Sequence, residues 1–484
     1  MNWLLIAEIA YLLILGLVCL RIIYDTRSTT KTLAYLLFAV FVPFFGMIFY
    51  FFFGINYRHR KMYSKKLYEN DDLAAKFKQD IIQYSAQTLQ ENNAKILGNK
   101  ELAFMVLKDS MSPLTAKNAV KLLINGENKF PEVIQAIQNA KHHIHIEYYI
   151  FEDDDIGTAL GEAMIAKAKE GVKVRFIYDD FGSRDIRKKL VPWLVENGVE
   201  AYPFLKVHFI LLANRLNYRN HRKIIVIDGF TAFIGGINVS DRYINGINNK
   251  LYWRDTHLRI DGPGALYLQY LFLCDWNFCA EEVLQPDNIF FPPMSEQQVT
   301  ADNKIVQIAA SGPDSESPTI LFSILQAINL ATKEILITSP YFIPGESLLD
   351  ALTIASLSGI SVKLLIPGQS DSKLVNAAAR SFYNDLLNAG VEIYQYKRGF
   401  VHAKTMVTDK KVAMVGTANM DFRSFDLNFE VNAIVYDTEI ASELSAIFYN
   451  DLKDAIGIDP IEWANRPIYK QLLEKAARLL SPLL

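Results

Sequence analysis

Apolar positions along the chain fall into three regimes. Residues 3–20 read WLLIAEIAYLLILGLVCL, broken only by Glu8, and residues 33–55 read LAYLLFAVFVPFFGMIFYFFFGI without a charge. Each run approaches or exceeds the ~20 residues that a helix needs to cross a bilayer core, and Pro43 is tolerable there as a kink. The first run lacks the basic start and small-residue cleavage site of a removable leader. The pattern therefore predicts a two-helix transmembrane hairpin over residues 1–57. Residues 58–115 are charged and mostly helical in pattern, and read as a linker. Beyond them, strand-length apolar runs such as HIHIEYYIF (143–151) and GVKVRFIYD (171–179) alternate with helical segments such as IGTALGEAMIAKAKEG (156–171). That alternation predicts an α/β layer around a largely buried sheet.

The third regime occurs twice. HRKIIVIDGFTAFIGGIN begins at His221 and HAKTMVTDKKVAMVGTAN begins at His402. In both copies Lys follows His by two positions, Asp by seven, Gly by fourteen and Asn by seventeen. The flanks repeat as well: EILITSPYF (334–342) pairs with HIHIEYYIF, ISVKLLIPG (360–368) with GVKVRFIYD, and FEVNAIV (429–435) with RDTHLRI (254–260). Such self-similarity predicts two similar half-domains packed together, 116–285 and 286–484. They would join in the Pro-rich, polar stretch QPDNIFFPPMSEQQ (285–298).

The repeated motif carries a specific chemistry. If HRKIIVID is a strand, His221 and Lys223 project from one face, as do His402 and Lys404. Asp228 and Asp409 have the opposite parity and fall at the strand end, where Asp228-Gly229 signals a turn. The aspartates are therefore expected to fix the motif and not to touch substrate. The returning chain can bring Asn238 and Asn419 to the His–Lys face, with Gly235, Gly236 and Gly416 permitting close approach. A neutral imidazole is a competent nucleophile at phosphorus. Lysine and asparagine can bind the non-bridging phosphate oxygens, and a second histidine can protonate the departing oxygen. The lysines supply the positive charge, so no metal or other cofactor is expected. Asp255 and Glu430 stand at matching positions, 34 and 28 residues after His221 and His402. Either carboxylate could accept a hydrogen bond from Nδ1 and fix the tautomer.

Composition adds three constraints. Apolar residues make up 51% of the chain and mean hydropathy is +0.10, consistent with a membrane segment. A formal net charge of −3 gives no reason to expect a nucleic-acid partner. Cys19, Cys274 and Cys279 form no ligand pattern and read as buried, reduced thiols. Basic residues set the expected orientation. Arg21, Arg27 and Lys31 lie between the apolar runs, whereas Arg58, Arg60, Lys61, Lys65 and Lys66 follow the second. The larger cluster predicts a C-terminal body on the cytoplasmic side of a membrane. At the other end, Leu472, Leu473, Ala476, Leu479 and Leu480 form an apolar stripe at helical spacing, suited either to a bilayer surface or to a core.

A duplicated HxKxxxxD followed by G and N resembles the phospholipase D superfamily. Within it the chain is similar to the bacterial cardiolipin synthases over nearly its whole length. The supporting segments are EYYIF (147–151), NHRKIIVIDG (220–229), GGIN (235–238), YWRDTHLRIDGPG (252–264), TSPYFIP (338–344), VHAKTMVTD (401–409) and RLLSPLL (478–484). The resemblance implies conversion of two phosphatidylglycerol molecules to cardiolipin and glycerol, with a histidine carrying the phosphatidyl group. It implies His221 as nucleophile and His402 as acid. A phospholipase D hydrolase, a phosphatidylserine synthase and a nuclease on the same fold are the competing expectations. The copies differ in that Arg222 stands opposite Ala403 and Gly229 opposite Lys410.

Overall fold

The computed structural model describes residues 3–26, 29–51, 71–96, 98–205, 218–246, 251–292 and 302–481. The basic cluster at 58–66 and residues 293–298 of the join between the halves lie outside these residues. The first half contributes β1 (Thr115–Ile124), β2 (His143–Tyr148), β3 (Lys173–Asp179), β4 (Glu200–Phe204), β5 (Ile224–Ile227), β6 (Thr231–Gly235), β7 (Tyr252–Arg254) and β8 (Thr256–Asp261). The second contributes β9 (Lys304–Ser311), β10 (Glu334–Thr338), β11 (Phe342–Ile343), β12 (Ser361–Pro367), β13 (Glu392–Tyr396), β14 (Gly399–Val401), β15 (Thr405–Thr408), β16 (Val412–Gly416), β17 (Met420–Asp421), β18 (Glu430–Tyr436) and β19 (Ala455–Gly457).

The duplication written in the sequence is a duplication of topology. In the first half the strand order is β4-β3-β2-β5-β6-β8-β1. The second repeats it as β13-β12-β10-β15-β16-β18-β9 and adds β19 at its edge. In each half the three outer strands are parallel and the rest antiparallel. The two sheets fuse where β1 runs antiparallel to β9, with Thr115 opposite Val306 and Asn118 opposite Lys304. The central strands β5 and β16 are buried on both faces, which is why they read as unbroken apolar runs.

Of the apolar cores that hold this sheet among the described residues, three are large. One joins β2, β3 and β5 to the helices Asn125–Gln138 and Asp155–Lys169. A second joins β10, β12 and β9 to the helices Thr319–Leu330 and Glu346–Leu357. The linker helices are not free-standing: Ile96, Leu102, Ala103 and Val106 belong to this second core. The third core is shared, with Ile224, Val226, Leu258 and Ile260 of one half packed with Val407, Val415, Val431 and Ala433 of the other. The halves therefore form one continuous apolar body whose seam lies beside both motifs.

At the N-terminus, helix Trp3–Asp25 packs beside helices Thr29–Phe41 and Pro43–Phe49, burying Val18, Ile22, Ala39, Met47 and Tyr50. The second apolar run is thus divided at Val42, where Pro43 opens a new helix. Among the described residues, no helix is long and apolar enough to cross a membrane. The three cysteines are free, but half-buried instead of buried as expected.

Candidate active site

The HxK segments lie just before their strands and not within them. β5 begins at Ile224 and β15 at Thr405. The physical reason is that the backbone of each segment is engaged by the opposite half. His221 N–H donates to Phe429 O (2.9 Å) while Phe429 N–H donates to Arg219 O (2.9 Å). His402 N–H donates to Arg254 O (2.7 Å), continuing the parallel pair β14–β7. Each motif is therefore laid against the strand that carries the other half's carboxylate.

The carboxylates cross the seam accordingly. His221 Nδ1 lies 2.9 and 3.0 Å from the Glu430 oxygens, and His402 Nδ1 lies 2.7 Å from Asp255 Oδ2. Chain order would pair each carboxylate with the histidine of its own half, and the fold exchanges them. Both carboxylates are fully buried. With Nδ1 donating to a carboxylate, Nε2 of each ring is left with its lone pair. Burial, with Lys404 alongside, pushes the His402 imidazole down to about 3 against the opposing pull of Asp255. Burial also lowers His221, opposed chiefly by Glu430.

Each lysine lies against the histidine of its own half. Lys404 Nζ lies 3.0 and 3.1 Å from the two ring nitrogens of His402, and Lys223 Nζ donates to His221 O at 2.7 Å. Each lysine is close enough to depress the histidine of the other half. Burial brings Lys223 down to about 7 and Lys404 down to about 8. Asp228 and Asp409 lie away from this cluster. Asp228 accepts the backbone N–H of Lys141, His142 and His143 at 2.8–3.0 Å. Asp409 does the same for Thr332, Lys333 and Glu334 at 2.8–2.9 Å. Both aspartates stand at positive φ (52° and 54°) in the turn, a conformation that Asp tolerates better than most residues.

The asparagines differ from each other. Asn238 donates to Tyr243 Oη (2.8 Å) and accepts from Ile150 N–H (3.3 Å), keeping one amide proton for a ligand. Asn419 has a buried Oδ1 without a partner. The glycines differ too. A Cβ on Gly236 would stand 2.2 Å from Asp255 Oδ1. The equivalent Thr417 instead donates its hydroxyl to Glu430 Oε2 at 2.5 Å.

Comparison with known proteins places this geometry. A family model described as cardiolipin synthase, PLD-like domain, matches residues 133–255 and again 324–452. Another, phospholipase D-nuclease N-terminal, matches residues 12–54. The chain is 41% identical over 464 residues to a cardiolipin synthase of Alkalihalophilus pseudofirmus, covering 96% of this chain and 91% of that one. It is 40% identical to the major cardiolipin synthase ClsA of Bacillus subtilis, covering 98% of each. The chain belongs to the cardiolipin synthase family of phospholipase-D-like proteins. A solved phosphatidylserine synthase of Haemophilus influenzae Rd KW20 shares the fold, with a TM-score of 0.58 at 14% identity over 79% of this chain and 100% of that one.

In this cardiolipin synthase fold, several residues around the histidines lie outside the repeated motif. Tyr243 Oη is 3.5 Å from His402 Nδ1, and the Tyr149 ring is 4.9 Å from that of His221. Lys129 is fully buried, donates to Ile237 O at 2.8 Å and stands over the Tyr148 ring. Its one sequence signal is placement on the apolar stripe of its helix, four residues before Val133 and eight before Ile137. Among the described residues, no group of three His, Cys, Asp or Glu side chains could hold a metal ion.

Proposed function

We propose that this chain is a cardiolipin synthase that transfers a phosphatidyl group between two phosphatidylglycerol molecules through a phosphohistidine. The observation carrying the reading is the crossed arrangement: two His–Lys pairs at one seam, each histidine held on Nδ1 by the other half's carboxylate. Phosphatidylglycerol is the lipid substrate, and His221, Lys223, His402, Lys404, Asn238 and Asn419 form the centre. One imidazole Nε2 attacks the donor phosphorus while its Nδ1–H is held by the buried carboxylate, which stabilises the charge that develops on the ring. Lys223 and Lys404 hold the non-bridging oxygens. The second imidazole takes up a proton on Nε2 beside the anionic donor phosphate, gives it to glycerol O as the P–O bond breaks, and recovers a proton from the hydroxyl of the incoming phosphatidylglycerol. One P–O bond replaces another, so no nucleotide enters the balance. Asp228 and Asp409 position the motifs through the turns they cap, and Asp255 and Glu430 orient the histidines.

The N-terminal hairpin inserts in the bilayer in this reading, with the catalytic body cytoplasmic at the bacterial inner membrane. The support is its outer surface. Leu12, Leu13, Leu17 and Leu20 of one helix and Phe41, Phe44 and Phe45 of the others are exposed at 63–76%, a sleeve that water disfavours. The C-terminal helix Ile468–Arg478 adds a second contact. It buries Glu474 and Ala477 and exposes Leu472 and Leu473, with Leu479 beyond its end.

The test is incubation of the protein with labelled phosphatidylglycerol, resolving the lipid products and trapping the acid-labile phosphoprotein. Cardiolipin with equimolar glycerol is expected, and His221→Ala or His402→Ala should each lose several orders of magnitude of turnover. Phosphatidic acid as the main product would replace the synthase with a hydrolase. A loss under about tenfold for both variants would remove the histidines from the mechanism.

A further inference from the structure

The two flanks of the catalytic seam are chemically unlike. Around His402 stand Trp253, Phe400 and Tyr243, with ring centroids 5.6, 5.9 and 5.8 Å from the imidazole. Phe400 precedes His402 by two positions, and its counterpart two positions before His221 is Arg219. Arg219 is 5% exposed, and its guanidinium lies 4.4 Å from the Phe181 ring centroid. Its Nη1 is buried without a hydrogen-bond partner. A buried guanidinium nitrogen left unpaired is costly, and a bound anion would remove that cost.

A second arginine joins it. Residues 219–221 run beside 428–430 through the bridge Asn220–Phe429, and Arg423 O accepts the Leu427 and Asn428 N–H groups at the start of that stretch. Arg423 is close enough to Arg219 to repel it, and both act on Tyr149, the ring against His221. The first-half counterpart of Arg423 is Arg242, which is ion-paired to Glu152. Arg423 makes no such pair among the described residues. Asp179 offsets part of the Arg219 charge and Asp421 part of the Arg423 charge, but neither carboxylate forms an ion pair with its arginine among the described residues. Asp179 spends its oxygens on the N–H groups of Phe181, Gly182 and Asn220, and Asp180 is paired with Arg187. Two like charges held together, one with an unpaired buried donor, describe an anion site.

We propose that Arg219 and Arg423 bind the phosphate of the acceptor phosphatidylglycerol, the one that does not react. This rests on the synthase reading. The donor presents one phosphate, which the His–Lys centre takes. The acceptor brings a second, separated from its attacking hydroxyl only by a glycerol bridge. An anion site two residues from His221 lies within that reach, and it favours an anionic lipid alcohol over water or free glycerol.

The experiment compares two reactions of the same donor in mixed micelles. One is exchange of labelled glycerol into phosphatidylglycerol, which needs donor cleavage and a neutral acceptor. The other is cardiolipin formation, which needs the anionic acceptor. For Arg219→Gln and Arg423→Gln, the ratio of cardiolipin formation to glycerol exchange should fall at least tenfold, with a raised KM for the acceptor. A ratio within twofold of wild type, whether both rates fall together or neither changes, overturns the proposal. Arg423→Gln, at a half-buried position, decides the case if Arg219→Gln does not fold. The wild-type ratio separately tests the synthase reading: a wild type that exchanges glycerol yet makes no cardiolipin overturns both.

Discussion

Gly236→Ala places one methyl group against the carboxylate that orients His402. The added Cβ would lie 2.2 Å from Asp255 Oδ1, 2.8 Å from Oδ2 and 2.9 Å from Cγ. Contacts of 3.0–3.4 Å are already tight for a real Cβ, so the carboxylate must retreat by roughly 1 Å. Asp255 is fully buried, and its Oδ1 also accepts the Thr256 N–H at 2.7 Å, so the retreat comes at the expense of the 2.7 Å bond to His402 Nδ1. A charged hydrogen bond is worth about 1.5–3 kcal/mol, and a misplacement of about 1 Å in a catalytic group costs ~10²-fold. The two routes agree on a fall in kcat of roughly 10- to 100-fold, with overpacking removing about 1–3 kcal/mol of stability. The assay is the initial rate of cardiolipin formation in mixed micelles, below the melting temperature measured for the variant. Because the methyl acts through Asp255, Gly236→Ala added to Asp255→Asn should cost little beyond Asp255→Asn alone. A Gly236→Ala enzyme within threefold of wild type would refute the reasoning, as would full additivity of the two changes.

Three further outcomes are expected. Because burial brings Lys223 to about 7 and Lys404 to about 8, kcat/KM should fall as pH rises through that window, far below the ordinary lysine value of 10.5, as the phosphate clamp loses its protons; a plateau extending to about pH 9.5 would contradict this. Asp409→Ala should lower stability by about 1.5–3 kcal/mol, since it removes the charged acceptor of the Thr332, Lys333 and Glu334 N–H groups, which water can only partly replace. The backbone hydrogen bonds hold Asp409 below its usual 3.8 despite burial, so its contribution is present above that value and lost as pH falls below it; an unchanged melting temperature near neutral pH would count against the capping role. Leu472→Glu with Leu473→Glu should cut activity on phosphatidylglycerol vesicles at least fivefold while leaving micelle activity within twofold, and equal losses in both would return the C-terminal helix to a purely structural role.

Much of the site is written in the sequence because it is written twice. The spacing of His, Lys, Asp, Gly and Asn can be checked copy against copy, and the topology repeats strand for strand. The exchange of carboxylates is not legible in that way. Alignment pairs Asp255 with His221 because they share a half, and nothing local in the sequence says that 219–221 will hydrogen-bond to 429 or that 402 will hydrogen-bond to 254. The strand limit differs for the same reason: the pattern runs on through His221 and Lys223, but tertiary pairing takes the His221 N–H before β5 starts. Residues 58–115 read as a linker because their charge is high, yet one face of their helices is apolar and closes the second core.

The exchange also explains why the two copies can diverge without losing the centre. Position 236 must be glycine because Asp255 is short and is held close to the backbone by Thr256 N–H. Position 417 takes a threonine because Glu430 is one methylene longer, and the hydroxyl then anchors its Oε2. The GG of one copy and the GT of the other are thus two solutions to one requirement, a buried carboxylate fixed at Nδ1 of a histidine that belongs to the other half. A half-domain alone contains a histidine without its carboxylate and a carboxylate without its histidine, with the shared core of Ile224, Leu258, Val415 and Val431 laid open. In the proposed mechanism, catalytic competence therefore arises only at the seam, where each histidine meets its carboxylate.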